Sequence, residues 1–210
     1  ADGHYHLMGC MLSAASCNKW WMEEIIGTKE YAKEQEPITD DRLGENHVYF
    51  LPYLMGERSP KLDSDCRGVF FGLSAMHTKY DMLRAVMEGV IYSQRECLDI
   101  LRGMGVVSSE MLACGGGGSS PMWRQMMADV YNLPVKTVVS KEGPALGVAI
   151  LAGVGAGIYS SVAEACRKVV KTNPAQAPIP ENTGRYEEFY RVYCGLYPQL
   201  KDCYKALAAL

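Results

Sequence analysis

Four consecutive glycines, Gly115 to Gly118, interrupt the chain directly after the apolar run Met111-Leu112-Ala113-Cys114. Ser119-Ser120-Pro121 follow, and then a helical pattern that ends near Tyr131. Glycines without a Cβ let a backbone come close to a flat ring or a phosphate. A Ser before a Pro in the first turn is a strong helix start. The helix beyond it offers free N–H groups and a positive dipole end. The residues alone leave two readings open, a tight strand-to-helix turn and a ligand site. The segment is not a P-loop, because no Gly-Lys-Ser/Thr follows, and it is not GxGxxG, because residue 120 is Ser.

The rest of the chain places this unit in an α/β lobe. Tyr5 to Cys10 reads as a short strand. Ser13 or Ser16 is a candidate cap for a helix through Trp20 and Ile26 that stops at Gly27. Residues 28–46 are polar and read as a surface excursion with a short helix near Lys29 to Glu34. Val48 to Leu51 and Val69 to Gly72 read as strands. Apolar residues at Leu83, Val86, Met87, Val90 and Ile91 recur at spacings of three and four, so a helix is predicted from Lys79 to about Arg102. Val135 to Val139 is a predicted strand, and Gly143 to Ala152 a small-residue helix whose smooth face suits close packing, or functionally a hinge surface between two lobes. Ser161 caps one more short helix. The Pro-rich stretch 174–180 reads as a linker ahead of a long helix, Tyr186 to Leu210, with its aromatics packed against the domain. Strands mixed with helices give the α/β class.

Composition excludes several alternatives. Among 210 residues, 48% are hydrophobic and 21% charged, which supports a packed core. The formal net charge is −3, and no long basic block is present, so neither nucleic acid nor an anionic membrane is implied. No apolar run reaches the roughly 18 residues of a membrane span. The eight cysteines form no CxxC pair and read as small buried residues in a reducing cytosol. The start, Ala1-Asp2-Gly3-His4, reads as a cut inside a longer protein.

One further stretch is distinctive. Gly68-Val69-Phe70-Phe71-Gly72-Leu73 is followed, seven residues on, by Asp81-Met82-Leu83-Arg84-Ala85-Val86-Met87-Glu88. Glu88 falls at helical spacing from Arg84, so an intrahelical pair is its simplest role. This stretch resembles the second signature of the FGGY carbohydrate kinases. Phe50-Leu51-Pro52-Tyr53-Leu54-Met55-Gly56-Glu57-Arg58-Ser59-Pro60 resembles the FLPYLxGERxP segment of the family's xylulose-phosphorylating branch. The glycine run resembles the family's adenosine motif, and residues 143–152 its second connecting helix.

The resemblance implies a ribonuclease H-like lobe of the actin and hexokinase type. Its mixed sheet would be flanked by helices and truncated at the N-terminal edge, with residues 1–210 forming the C-terminal nucleotide-binding domain. It implies ATP and Mg²⁺ as cofactors. Gly116 and Gly117 would approach the nucleotide, and Ser119 and Ser120 would line its pocket. Ala15 and Lys19 would add contacts, and Arg58 would face the phosphates. For the Glu57-Arg58 pair a loop salt bridge with Asp63, Asp65 or Arg67 stands as the alternative. The catalytic Asp and the main sugar contacts would belong to an N-terminal kinase lobe. The implied reaction is phosphorylation of D-xylulose in the cytoplasm, with a homodimer possible in this family. Gluconate, ribulose, fuculose or glycerol as acceptor, and a non-catalytic actin-like module, are the competing readings.

Overall fold

The computed structural model describes residues 3, 5–140 and 143–210. Ala1, Asp2 and His4, on which the reading of a cut chain start rests, lie outside the described residues. The first helix, α1 (Ser16–Trp20), widens into a π turn, Trp21–Ile26, and stops at Gly27 with φ of +79°. Neither Ser13 nor Ser16 caps it by side chain; Ala15 holds the cap position. Next come α2 (Tyr31–Gln35), a 3₁₀ turn at Asp40–Arg42, β1 (Tyr49–Leu51) and β2 (Val69–Phe71). The long helix α3 (Lys79–Gly103) leads to β3 (Met111–Ala113), α4 (Gly115–Ser119), α5 (Pro121–Tyr131) and β4 (Val135–Thr137). The chain closes with α6 (Gly143–Gly155), α7 (Val162–Val169) and α8 (Pro180–Ala208).

Both pairing senses expected of a mixed sheet are present, in two separate pairs. β1 and β2 are antiparallel, with Phe50 opposite Phe70. β3 and β4 are parallel, with Leu112 opposite Lys136. Tyr5 to Cys10 does not form the predicted strand. A strand needs a partner for its backbone groups, and among the described residues only Cys10 O finds one, accepting from Ser59 N–H at 3.0 Å. The stretch read as a linker is also more engaged than its composition suggests. Gln176 exchanges both backbone hydrogen bonds with Val135 at 2.9 Å, and Val139 N–H reaches Lys171 O at 2.8 Å.

Helix α3 organises the core. Its start is a capping box: Asp81 Oδ2 accepts from Thr78 N–H at 2.8 Å, while Thr78 Oγ1 accepts from Tyr80 N–H at 3.3 Å. The acid of the family signature is thus a helix starter. A Cβ on Gly89 would stand 2.1 Å from the Phe50 carbonyl oxygen, so the helix lies directly on β1. Arg84 and Glu88 form the predicted pair, Nε to Oε1 at 2.8 Å, and both are buried. The Tyr186 hydroxyl donates to Glu88 Oε1 at 3.0 Å, and Arg84 Nη1 donates to Thr39 O at 2.7 Å. These bonds offset the cost of burying the pair. Tyr186, Tyr190, Tyr193 and Tyr197 of α8 are buried, and Tyr53 meets Tyr193 hydroxyl to hydroxyl at 3.3 Å. One hydrophobic cluster runs from Cys17 to Tyr204.

Of the cysteines, only Cys17 and Cys66 are buried; Cys114 and Cys203 are exposed and the others lie between. The reading of all eight as buried residues is therefore corrected. Cys114 follows a three-residue strand at the mouth of the glycine turn, and Cys203 sits on the outer side of α8. Among the described residues, no helix is long and apolar enough to cross a membrane.

Candidate functional site

The glycine run folds as one helical turn, α4, at the carboxyl end of β3, the end of a parallel strand where α/β folds place ligands. Three of the four glycines have a reason within the protein itself. Gly115 has φ of +75°, a left-handed conformation that favours glycine. A Cβ on Gly117 would come within 3.0 Å of the Trp123 ring, and one on Gly118 within 3.0 Å of the Ala113 carbonyl carbon. Gly116 differs: its backbone is not left-handed, and a Cβ there would meet nothing within 4 Å.

Gly116 and Gly117 line a cavity of about 670 Å³. Ser119, Ser120 and Trp123 continue this wall. The α1 side contributes Ala15, Asn18 and Lys19, and the α2 side contributes Tyr31, Ala32, Gln35 and Glu36. Six of the seven residues expected at a nucleotide site from sequence therefore share one cavity: Ala15, Lys19, Gly116, Gly117, Ser119 and Ser120. The α2 wall and Asn18 were outside that expectation. The excursion carrying α2 is polar and has no motif, so only its tertiary position reveals its part.

The walls are fixed to the core and to one another. Trp123 Nε1 donates to Met87 O at 3.2 Å, which anchors the floor on α3. Ser120 is the N-cap of α5, accepting from Trp123 N–H at 3.2 Å. Its hydroxyl also donates to Gln35 Oε1 at 2.9 Å, across to α2. Lys79 Nζ meets Glu34 Oε2 at 2.7 Å, and this hydrogen bond raises the Lys79 ammonium above its ordinary range. Tyr31 donates to Glu23 Oε1 at 2.9 Å; burial first, and then the Glu23 carboxylate, raise the phenol.

Arg58 stands apart from this site. It lines a separate groove of about 350 Å³ with Leu7, Met8, Pro60 and Ile100. It is exposed, donates from Nη1 to Cys10 Sγ at 3.5 Å, and has no ion-pair partner among the described residues. Among the described residues, its neighbour Glu57 forms no loop salt bridge either. Glu57 is 2% exposed and accepts from the backbone N–H groups of Leu12 at 2.9 Å and Arg58 at 2.7 Å. Burial pushes its carboxyl up, against those two hydrogen bonds. Glu57 thus ties the segment before α1 to the 53–63 loop, whose main chain closes by Glu57 N–H to Asp63 O at 2.8 Å.

Fold and site together define an α/β lobe with a cavity at the glycine end of a parallel strand. Residues 1–156 match the profile of the FGGY family of carbohydrate kinases, C-terminal domain. The chain belongs to this family. It is 34% identical over 198 residues to a xylulose kinase of Staphylococcus epidermidis, covering 94% of this chain and 40% of that protein. The crystal structure of ligand-bound xylulose kinase from Lactobacillus acidophilus superposes with a TM-score of 0.83 at 25% identity, covering 95% of this chain and 40% of that one. The gluconate kinase of the same organism gives a TM-score of 0.82 at 26% identity, covering 95% and 40%. The chain spans about 40% of the length of these relatives.

Proposed function

We propose that residues 1–210 are the nucleotide-binding domain of an ATP-dependent sugar kinase acting on D-xylulose. The observation that carries the nucleotide assignment is Gly116. It is the one glycine of the run that neither a left-handed backbone nor a close neighbour accounts for, and it faces a cavity large enough for a nucleoside. The backbone of Gly116 and Gly117 would approach the nucleotide, and Ser119, Ser120, Ala15 and Lys19 would surround it. Arg58, in its own groove, is left out of this set.

ATP supplies the phosphoryl group. This chain's part is to hold and orient the nucleotide and to exclude water behind the α2 wall. Among the described residues, no group of three or more His, Cys, Asp or Glu is placed to hold a metal ion. Mg²⁺ would be held by the phosphates and by carboxylates, few of them in this chain. The base that accepts the sugar hydroxyl proton is assigned to an N-terminal lobe, so these 210 residues alone are expected to transfer no phosphate. D-xylulose is favoured over gluconate by the Phe50 to Pro60 segment and by the names of the relatives. Eight unpaired thiols fit a reducing compartment such as the cytoplasm.

A coupled assay of the native protein with Mg-ATP against ketoses, polyols and aldonates tests the reading. The expected result is a clear kcat/KM preference for D-xylulose. A preference for gluconate would move the acceptor and keep the class. Nucleotide binding without any transfer would favour the non-catalytic module.

A further inference from the structure

Strand β4 is paired along both of its edges, and β3 along one. On its far side β4 meets the 171–176 stretch, where Val135 and Gln176 exchange bonds and Asn173 N–H reaches Thr137 O at 2.9 Å. On the near side Met111 N–H donates to Pro134 O at 2.9 Å, so the main-chain groups of Met111 and Ala113 face β4. Successive residues of a strand turn their N–H and C=O to opposite edges. Those of Leu112 therefore point away from β4, and among the described residues nothing pairs with them.

This open edge borders a groove of about 480 Å³. Another wall is Gly9, Cys10 and Met11, the end of a stretch whose composition favours a strand and whose one backbone partner among the described residues is Ser59. Leu98 and Leu101 of α3 and Met127 of α5 make the groove apolar. Natural proteins block open strand edges with Lys or Pro, and Met111 to Cys114 carry neither. We propose that the groove holds a β-strand supplied by a part of the native protein outside these 210 residues, paired with β3 through Leu112 and resting apolar side chains on Leu98 and Leu101. An extended backbone fits because it offers donors and acceptors at the spacing of the edge, whereas a helix has already used its own. A second copy would bring only another three-residue edge. The relatives leave room for a donor, since this chain spans 40% of their length. The assignment rests on the reading above only in needing a native protein longer than 210 residues; the sugar assay can fail without touching it.

Two thiols provide the test. Cys114 borders the groove and Cys203 lies on α8, and both are exposed in these 210 residues. The native protein, free of nucleotide, is alkylated with iodoacetamide, and each cysteine is followed by peptide mass spectrometry. Cys114 is expected to react about tenfold or more slowly than Cys203, at a rate unchanged by dilution. Amide hydrogen exchange of the same protein is expected to show Leu112 N–H protected as well as Met111 N–H, its neighbour bonded to Pro134. Leu112→Pro removes the edge donor and spares the bonds to β4, so Cys114 is expected to rise to the Cys203 rate; Leu112→Ala should leave it slow. The wild-type readings decide even where Leu112→Pro fails to fold. Equal labelling of the two thiols, with Leu112 N–H exchanging freely, would show an open edge and overturn the proposal. Slow labelling of Cys114 that is lost on dilution would place a second copy on the edge and overturn it too. Slow labelling beside a freely exchanging Leu112 N–H would show a cover that is not a strand, with the same consequence.

Discussion

A Cβ at Gly89 would stand 2.1 Å from the Phe50 carbonyl oxygen, and at Gly116 it would touch nothing within 4 Å. The two glycines should therefore respond in opposite ways to the same change. Gly89→Ala forces α3 off β1 and is expected to destabilise by about 2–4 kcal/mol in urea unfolding. Gly116→Ala, on a helical turn, is expected to hold or raise stability by up to about 1 kcal/mol and to weaken ADP binding by titration. Loss of stability at Gly116, or unchanged affinity, would count against the cavity as the nucleotide site. At this scale the sequence shows what is local. Gly116, Gly117, Ser119 and Ser120 are legible because four glycines and an N-cap are contiguous signals. Ala15 and Lys19 emerge only through family resemblance. Asn18 is invisible in the sequence, because its place beside the cavity is a tertiary fact. Arg58 looks like a phosphate ligand for its charge and its motif, yet its loop turns it toward Cys10.

Among the elements, one buried carboxylate ties α5 to the start of α8. Asp129 accepts from Gln125 Nε2 at 2.9 Å, from Ile179 N–H at 2.7 Å and from Asn182 Nδ2 at 3.1 Å. Burial still outweighs these bonds and raises its carboxyl above the ordinary 3.8. A raised carboxyl gives a stability contribution that is full below the unfolded pKa and falls as pH rises through the folded one. Asp129→Asn removes this dependence and preserves two of the three acceptor bonds. The variant is expected to gain on the wild type as the medium goes from about pH 3 to pH 7, read as denaturant midpoints. A constant difference across that range would contradict the assignment. Element types were readable wherever a period or a cap was strong, as in α3, or in α5 behind Ser120-Pro121. They failed at residues 5–10, where composition favours a strand but pairing is lacking. They failed again in the Pro-rich stretch 174–180, read as a linker, where Gln176 pairs through its backbone with Val135 of β4.

For the molecule as a whole, the core joins α1, α3, α5 and α8, while α6 packs chiefly on α7. Helix α6 is apolar on nearly every side, yet Val148 is 67% and Leu151 52% exposed. In the 210-residue chain, hydrogen exchange is expected to be faster through residues 143–169 than through α3, because few buried contacts protect them. Equal protection in both would mean that α6 has a partner the fold does not show. The cavity divides along a similar line. Its floor, Trp123, is bolted to α3, whereas its α2 wall belongs to the polar excursion and is held by side-chain ties such as Ser120 to Gln35 and Lys79 to Glu34. Substitutions at the cavity-lining residues Ala32, Gln35 and Glu36, none of them in the buried core cluster, re-size the cavity and leave the core as it was. Over evolutionary time the choice of ligand is thus free to drift separately from the capacity to fold, and lineages sharing an unchanged glycine turn can diverge in what they accept.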